Sequence, residues 1–186
     1  VKELMDKEDA LVVFPLSPME FDNKHIKGSV NIIPKMMKYE LPTDKEKAIV
    51  FYCLGIKCVA SWRAAEKAVE LGYNNVYAFR EGIPGWEKAG YPLVSTHKLP
   101  DVEVKKISTE ELASLLVNED MILLDINLDE DAHKFHIEST KRKHIPLDEL
   151  NVSLPQLSKD TKIAVMCLKG KRSATAAKYL IGQGYE

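Results

Sequence analysis

The chain repeats itself, and that repeat limits its folding more than any other feature. A His-Ile pair occurs at His25 and again at His136, 111 residues on (25 to 136). The runs "FYCLGIKCVASWRAA" and "VMCLKGKRSATAA" share an order of apolar residues, Cys, loop, Ser, Ala-Ala, with Cys53 and Cys167 lying 114 residues apart. Their loop-closing serines, Ser61 and Ser173, and the following glycines, Gly72 and Gly184, are each 112 residues apart. Four landmarks in one order at nearly one offset identify an internal duplication, with a period too long for a solenoid and suited to two tandem domains.

Each copy alternates strand and helix. "ALVVF" with "AIVFYC", and "MILLD" with "KIAVMC", are short apolar runs of the kind buried on both faces of a parallel sheet. "SWRAAEKAVELG" and "SATAAKYLIGQG" have helical composition, with Ser61 and Ser173 expected as N-caps and a glycine near each end. Ser108 and Glu111 form a capping-box pattern. The expectation is an α/β protein of two tandem domains, each a mainly parallel sheet flanked by helices on both faces. The boundaries fall at residues 1–94 and 104–186, with 95–103 ("STHKLPDVE") as linker. "VEVKKIS", from Val102, is expected as an edge strand with no counterpart before Val1, and the second copy ends before a match to "VYAFREGIPGWEKAGYPL". On this reading the first domain lacks its N-terminal strand and the second is clipped at its C-terminal end.

Composition narrows the partners. A net charge of −2 gives no reason to expect nucleic acid or an anionic membrane, and no apolar run approaches the ~18 residues of a membrane span. Three cysteines are too few, and odd in number, for a disulfide framework; they suit a reducing, cytoplasmic setting. No metal or organic cofactor is expected.

The two cysteine loops carry the chemistry. Cys167 ends an apolar strand at the carboxyl edge of a parallel sheet, where open α/β folds bind ligands. "LKGKR" must then turn the chain into a helix. Loop N–H groups and the helix start converge on the sulfur, and Lys169, Lys171 and Arg172 add positive charge, so the thiolate is favoured. Gly170 permits the tight turn. A thiolate in an anion-binding cradle is a nucleophile.

These motifs resemble the rhodanese, or thiosulfate sulfurtransferase, family. The block Tyr52 to Leu93 carries the resemblance most specifically, through its Cys-loop, Ala-Ala helix, Gly-Tyr, Gly-Trp and Gly-Tyr-Pro in order; "HIKGSVNIIP" and "CLKGKRSATAAKYL" add to it. The resemblance implies a sulfurtransferase in which a cysteine takes sulfane sulfur from a small anionic donor such as thiosulfate. The resulting persulfide passes its sulfur to cyanide, a thiol or a protein acceptor. It implies Cys167 as nucleophile, Arg172 as anion-binding residue five positions later, with Lys169, Gly170, Lys171 and Ser173 completing the cradle. Cys53 is the corresponding nucleophile of the first domain, with Lys57 its loop cation.

The copies depart from the family unequally. Related dual-specificity phosphatases place an arginine six residues after the cysteine, so the five-residue spacing Cys167–Arg172 suits sulfur. Cys53 to Ser61 spans eight residues against six for Cys167 to Ser173, and Cys58 takes the fifth position. Cys58 is either a resolving thiol that forms a disulfide with Cys53 or a residue that fills the loop. The family's Asp-x-Arg is Phe14-Pro15-Leu16 in the first copy and Asp125-Ile126-Asn127 in the second. Asp125 is read as a buried carboxylate bonded to loop N–H groups. His25 and His136 are read as structural, since a low-pKa thiolate needs no base, Trp86 as core, and Lys141–His144 as a solvated basic turn. Two other functions stay open: a non-catalytic or redox-sensing binding module, and an anion reductase or phosphatase using Cys53 and Cys58.

Overall fold

The computed structural model describes residues 1–185, the side chain of Lys171 excepted. That side chain, expected in the second cradle, and Glu186, the end of the expected second domain, lie outside the described residues. The chain divides into two compact units, Val1–Lys98 and Leu99–Glu186.

The first unit runs α1 (Lys2–Lys7), β1 (Leu11–Phe14), α2 (Pro18–Asn23), β2 (His25–Ile26), β3 (Val30–Asn31), α3 (Met37–Glu40), β4 (Ile49–Tyr52), α4 (Ala60–Glu70), β5 (Val76–Phe79), α5 (Gly82–Lys88) and β6 (Leu93–Val94). Four strands form a wholly parallel sheet in the order β3-β1-β4-β5, while β2 and β6 make a small antiparallel pair. Strand side chains alternate between faces, so this sheet needs cover on both. Val13, Ile49 and Phe51 pack with Ala64, Ala65 and Ala68 of α4 and with Met37 and Tyr73. On the opposite face Val12, Phe14, Val50 and Tyr52 pack with Ile83 and Trp86 of α5 and with Ile26. The Ala-Ala pair has a packing reason: small side chains let α4 approach the centre of the sheet.

The second unit runs α6 (Thr109–Asn118), β7 (Met121–Asp125), α7 (Asp129–Lys134), β8 (Arg142–His144), α8 (Leu150–Ser153), a 3-10 turn (Leu154–Gln156), β9 (Lys162–Met166) and α9 (Lys171–Gly182). Its described sheet is parallel in the order β8-β7-β9. The duplication extends to details of bonding. His25 and His136 each place Nδ1 against the carbonyl four residues back, Phe21 at 2.7 Å and Ala132 at 3.0 Å. Gly72 and Gly184 both have positive φ, and the next residues, Tyr73 and Tyr185, return their N–H groups to Ala68 and Leu180. The two tyrosine hydroxyls donate to the Pro42 carbonyl at 2.6 Å and the Leu154 carbonyl at 2.8 Å.

Three local expectations are corrected. Residues 102–108 form no strand, because no strand of the second sheet offers them a ladder. The run Lys141–His144 is not a solvated turn: Arg142–His144 is β8, paired with Leu123, Leu124 and Asp125. Ser61 and Ser173 are not N-caps; α4 starts at Ala60 and α9 at Lys171, so both serines lie inside the first turn. Ser108 does cap α6, accepting the Glu111 N–H at 3.0 Å.

One glycine fixes the first cysteine loop against α5. Gly82 has φ +55°, and a Cβ there would lie 2.0 Å from the Cys53 carbonyl oxygen, which accepts the Ile83 N–H at 3.0 Å. Gly82→Ala should therefore destabilise the chain by about 2–3 kcal/mol, read as a lower urea midpoint, since left-handed strain and a backbone clash act together.

Candidate active site

Each cysteine follows the last residue of a central strand, Cys53 after β4 and Cys167 after β9. Gly170, whose φ of 72° makes the turn, precedes α9, and the Cys167 sulfur accepts the Ser173 N–H at 3.2 Å. The sulfur thus does the work expected of an N-cap oxygen, satisfying a free donor of the first helical turn. The Ser173 hydroxyl donates to the Gly170 carbonyl at 3.0 Å. Burial opposes ionisation of Cys167. The Ser173 hydroxyl and N–H and the N–H groups of Lys169 and Gly170 outweigh it, and the thiol is held below its usual range.

Beneath this loop lies a polar network centred on Asp125, to which the sequence did not connect Arg142, Asn127 and His144. Asp125 is fully buried; its Oδ1 accepts the N–H and side-chain amide of Asn127 at 3.0 and 2.8 Å. Its Oδ2 accepts a fork from Arg142, Nε at 3.0 Å and Nη2 at 2.8 Å. Asn127, also fully buried, turns its Oδ1 to the Leu168 N–H at 2.9 Å, directly holding the residue after Cys167. His144 Nε2 completes the cluster at 2.8 Å from the Asn127 carbonyl. Asp125 is therefore bonded to an N–H as expected, and also to a cation. The guanidinium comes from β8, two strand positions before His144, rather than from the position two after Asp125. In the first unit the same backbone turn is apolar, and Asn31 Nδ2 holds it through the carbonyls of Phe14 and Leu16 at 2.9 and 2.7 Å.

Arg172 has an acidic neighbour on α7. Its Nη2 lies 3.8 Å from Asp131 Oδ2, a half-exposed and long ion pair. Lys169 is exposed, as is Lys57 in the first loop.

The first site is built differently. Cys53 is fully buried, with Sγ 3.3 Å from the Ser61 hydroxyl and 3.3 Å from the Cys58 carbonyl oxygen. A hydrogen bond from the Cys58 side chain lowers the Cys53 thiol most. Burial opposes this, and the Ser61 hydroxyl with the N–H groups of Ser61 and Gly55 reinforces it, bringing the group to about 5. Cys58, half-buried, is pushed up by the same pairing and by burial. Leu54, Ile56 and Val59 are exposed around the mouth, where the second loop carries lysines. Trp86 is buried and donates Nε1 to the Pro92 carbonyl at 3.1 Å, while His25 stacks on Phe21; both are structural. Among the described residues no three His, Cys, Asp or Glu side chains gather to hold a metal, and no helix is long and apolar enough to cross a membrane.

Comparison with known proteins places this geometry among relatives. The rhodanese-like domain family model matches residues 1–89. YibN of Escherichia coli K12, an uncharacterised protein, is 36% identical over 96 residues, 49% of this chain and 65% of that protein. The thiosulfate sulfurtransferase GlpE of Pseudoalteromonas translucida is 33% identical over 92 residues, 47% of this chain and 82% of GlpE. Among solved structures, a thiosulfate sulfurtransferase from Pseudomonas aeruginosa aligns with a TM-score of 0.49 and 18% identity, over 99% of this chain and 40% of that one. The chain thus spans less than two thirds of the length of YibN and of the Pseudomonas protein.

Two outcomes follow from the second site. The alkylation rate of Cys167 by iodoacetamide should rise with pH through an inflection below the ~8.5 of a free cysteine, because loop donors stabilise its thiolate. Arg142→Met should cost about 3–5 kcal/mol in urea unfolding, since it strands a fully buried carboxylate.

Proposed function

Since this chain belongs to the rhodanese-like domain family, we propose that it is a sulfurtransferase acting through cysteine persulfides at Cys167 and Cys53. The single observation that carries this reading is the sulfur of Cys167 seated on the first turn of α9, receiving the Ser173 N–H with its thiol held low. Thiosulfate is the donor best suited to the second site. The Cys167 thiolate attacks the outer, sulfane sulfur; the S–S bond breaks, and sulfite leaves with the bonding electrons. The loop N–H groups of Lys169, Gly170 and Ser173 then face the anionic persulfide, the charge that most needs stabilising. An acceptor, cyanide, a thiol or a protein thiol, attacks the outer sulfur and returns the thiolate, a ping-pong sequence.

Arg172 is the donor-binding cation in this scheme, and Asp131 competes for it. Lys169 adds charge at the rim. The first site has no arginine in its loop and an apolar mouth, so Cys53 takes sulfur from a thiol-derived persulfide rather than from a sulfonate-bearing donor. Three free cysteines, two of them with lowered thiols, suit a reducing compartment such as the cytoplasm. A second reading, a redox-sensing module without turnover, is favoured by the loss of polar residues at Phe14-Pro15-Leu16.

Thiocyanate formation from thiosulfate and cyanide separates the two readings. Cys167→Ser should abolish most of the activity and Cys53→Ser should leave most of it. Arg172→Ala should raise the thiosulfate KM by roughly tenfold or more, the loss of one charge-assisted bond of about 1.5–3 kcal/mol, whereas Asp131→Asn should lower it by freeing the guanidinium. Wild-type protein inactive with thiosulfate and with persulfide donors would leave the sensing module.

A further inference from the structure

The first loop contains a second thiol that the transfer reaction does not require. Cys58 stands five residues after Cys53, where the second loop has Arg172. Its N–H donates to the Gly55 carbonyl at 2.8 Å, a tight turn that brings its carbonyl oxygen within 3.3 Å of Cys53 Sγ and sets the two cysteines side by side in one loop. Cys53 is fully buried and Cys58 is half-buried, so Cys58 is the more accessible of the two thiols.

We propose that Cys58 resolves a persulfide on Cys53, releasing hydrogen sulfide and leaving a Cys53–Cys58 disulfide. The Cys58 carbonyl oxygen lies against Sγ of Cys53, the atom that becomes the inner sulfur once a sulfane sulfur is added. Cys58 Sγ attacks that inner sulfur, the Cys53 Sγ–outer sulfur bond breaks, and the outer sulfur leaves with the bonding electrons. The Cys58 proton goes to the departing sulfur. Cys58 is oxidised by the same two electrons that reduce the outer sulfur, so the step closes without an external oxidant or reductant. A low-molecular-weight thiol or a dithiol protein then reopens the disulfide by exchange.

Protonation supports the sequence of events. The pairing lowers the Cys53 thiol and raises that of Cys58, which makes Cys53 the readier of the two to take up sulfur. Once Cys53 Sγ is bonded to sulfur it no longer accepts the Cys58 proton as a thiolate, and Cys58 loses the interaction that most strongly holds its proton. The second site has no equivalent: Cys167 faces Ser173, and Arg172 occupies the fifth position. The two units thereby divide into a site that keeps sulfane sulfur for transfer and one that reduces it to sulfide.

This inference rests on the reading of Cys53 as a sulfur-accepting nucleophile, and the experiment separates the two. Cys167→Ser protein is treated without air with one equivalent of glutathione persulfide and desalted at once; intact mass and released sulfide are then measured. The expected result is one sulfide per chain and a protein two hydrogens lighter. Adding Cys58→Ser, or independently Cys58→Ala, should abolish sulfide release and leave one extra sulfur atom on Cys53. A stable extra sulfur on Cys53 in the Cys167→Ser protein, with Cys58 still open to alkylation, overturns the resolving role alone. Absence of any adduct on Cys53 in both Cys58 variants overturns the nucleophile reading and this inference with it.

Discussion

A cysteine sulfur that caps a helix is the interaction on which both sites depend. In the second unit the Ser173 N–H reaches Cys167 Sγ, and in the first the N–H and hydroxyl of Ser61 bond Cys53. The contact satisfies a donor that the helix start leaves free, and it places the sulfur where the helix dipole favours negative charge. Folding and reactivity thus share one bond. A serine N-cap would satisfy the helix and leave the sulfur undirected; with the serines inside the first turn, their N–H groups turn toward the thiol.

The rest of each unit serves to hold that sulfur still. Parallel strands covered on both faces fix the end of β4 and β9, and the segment after the neighbouring strand is fastened beneath the loop. The two copies fasten it differently. The first uses an apolar turn, Phe14-Pro15-Leu16, held by Asn31 and backed by Gly82 against the Cys53 carbonyl. The second uses a buried charge pair, Asp125 with Arg142, and passes order to Leu168 through Asn127. A buried pair of this kind is costly to desolvate, and its fork geometry fixes one arrangement of the turn.

The difference between the loops matters as much as their likeness. Two extra residues in the first loop place a thiol where the second has a guanidinium, and they surround the mouth with Leu54, Ile56 and Val59. One duplicated frame therefore carries a cysteine beside cations in one loop and two cysteines in the other.

The sequence by itself determined the duplication, the α/β character and the position of both thiols at strand ends. Those rest on local patterns: short apolar runs, helical composition, and landmarks recurring at one offset. It also located Cys58 and Arg172 at equivalent places. The bonds that aim the loops were decided only by the tertiary structure. Arg142 lies in a basic run that reads as solvated, and it is a partner of Asp125 because β8 pairs in parallel with β7, setting Arg142 opposite Leu123, two residues from Asp125 on the same face. Asn127 looked like a loss from the family pattern, yet it becomes an acceptor for Leu168 across 41 residues. Arg172 reads as an anion clamp, and the fold gives it a carboxylate neighbour, Asp131, 41 residues earlier in the chain. Periodicity reports which face a residue lies on; which polar groups meet across strands depends on register and packing, and those are properties of the folded chain.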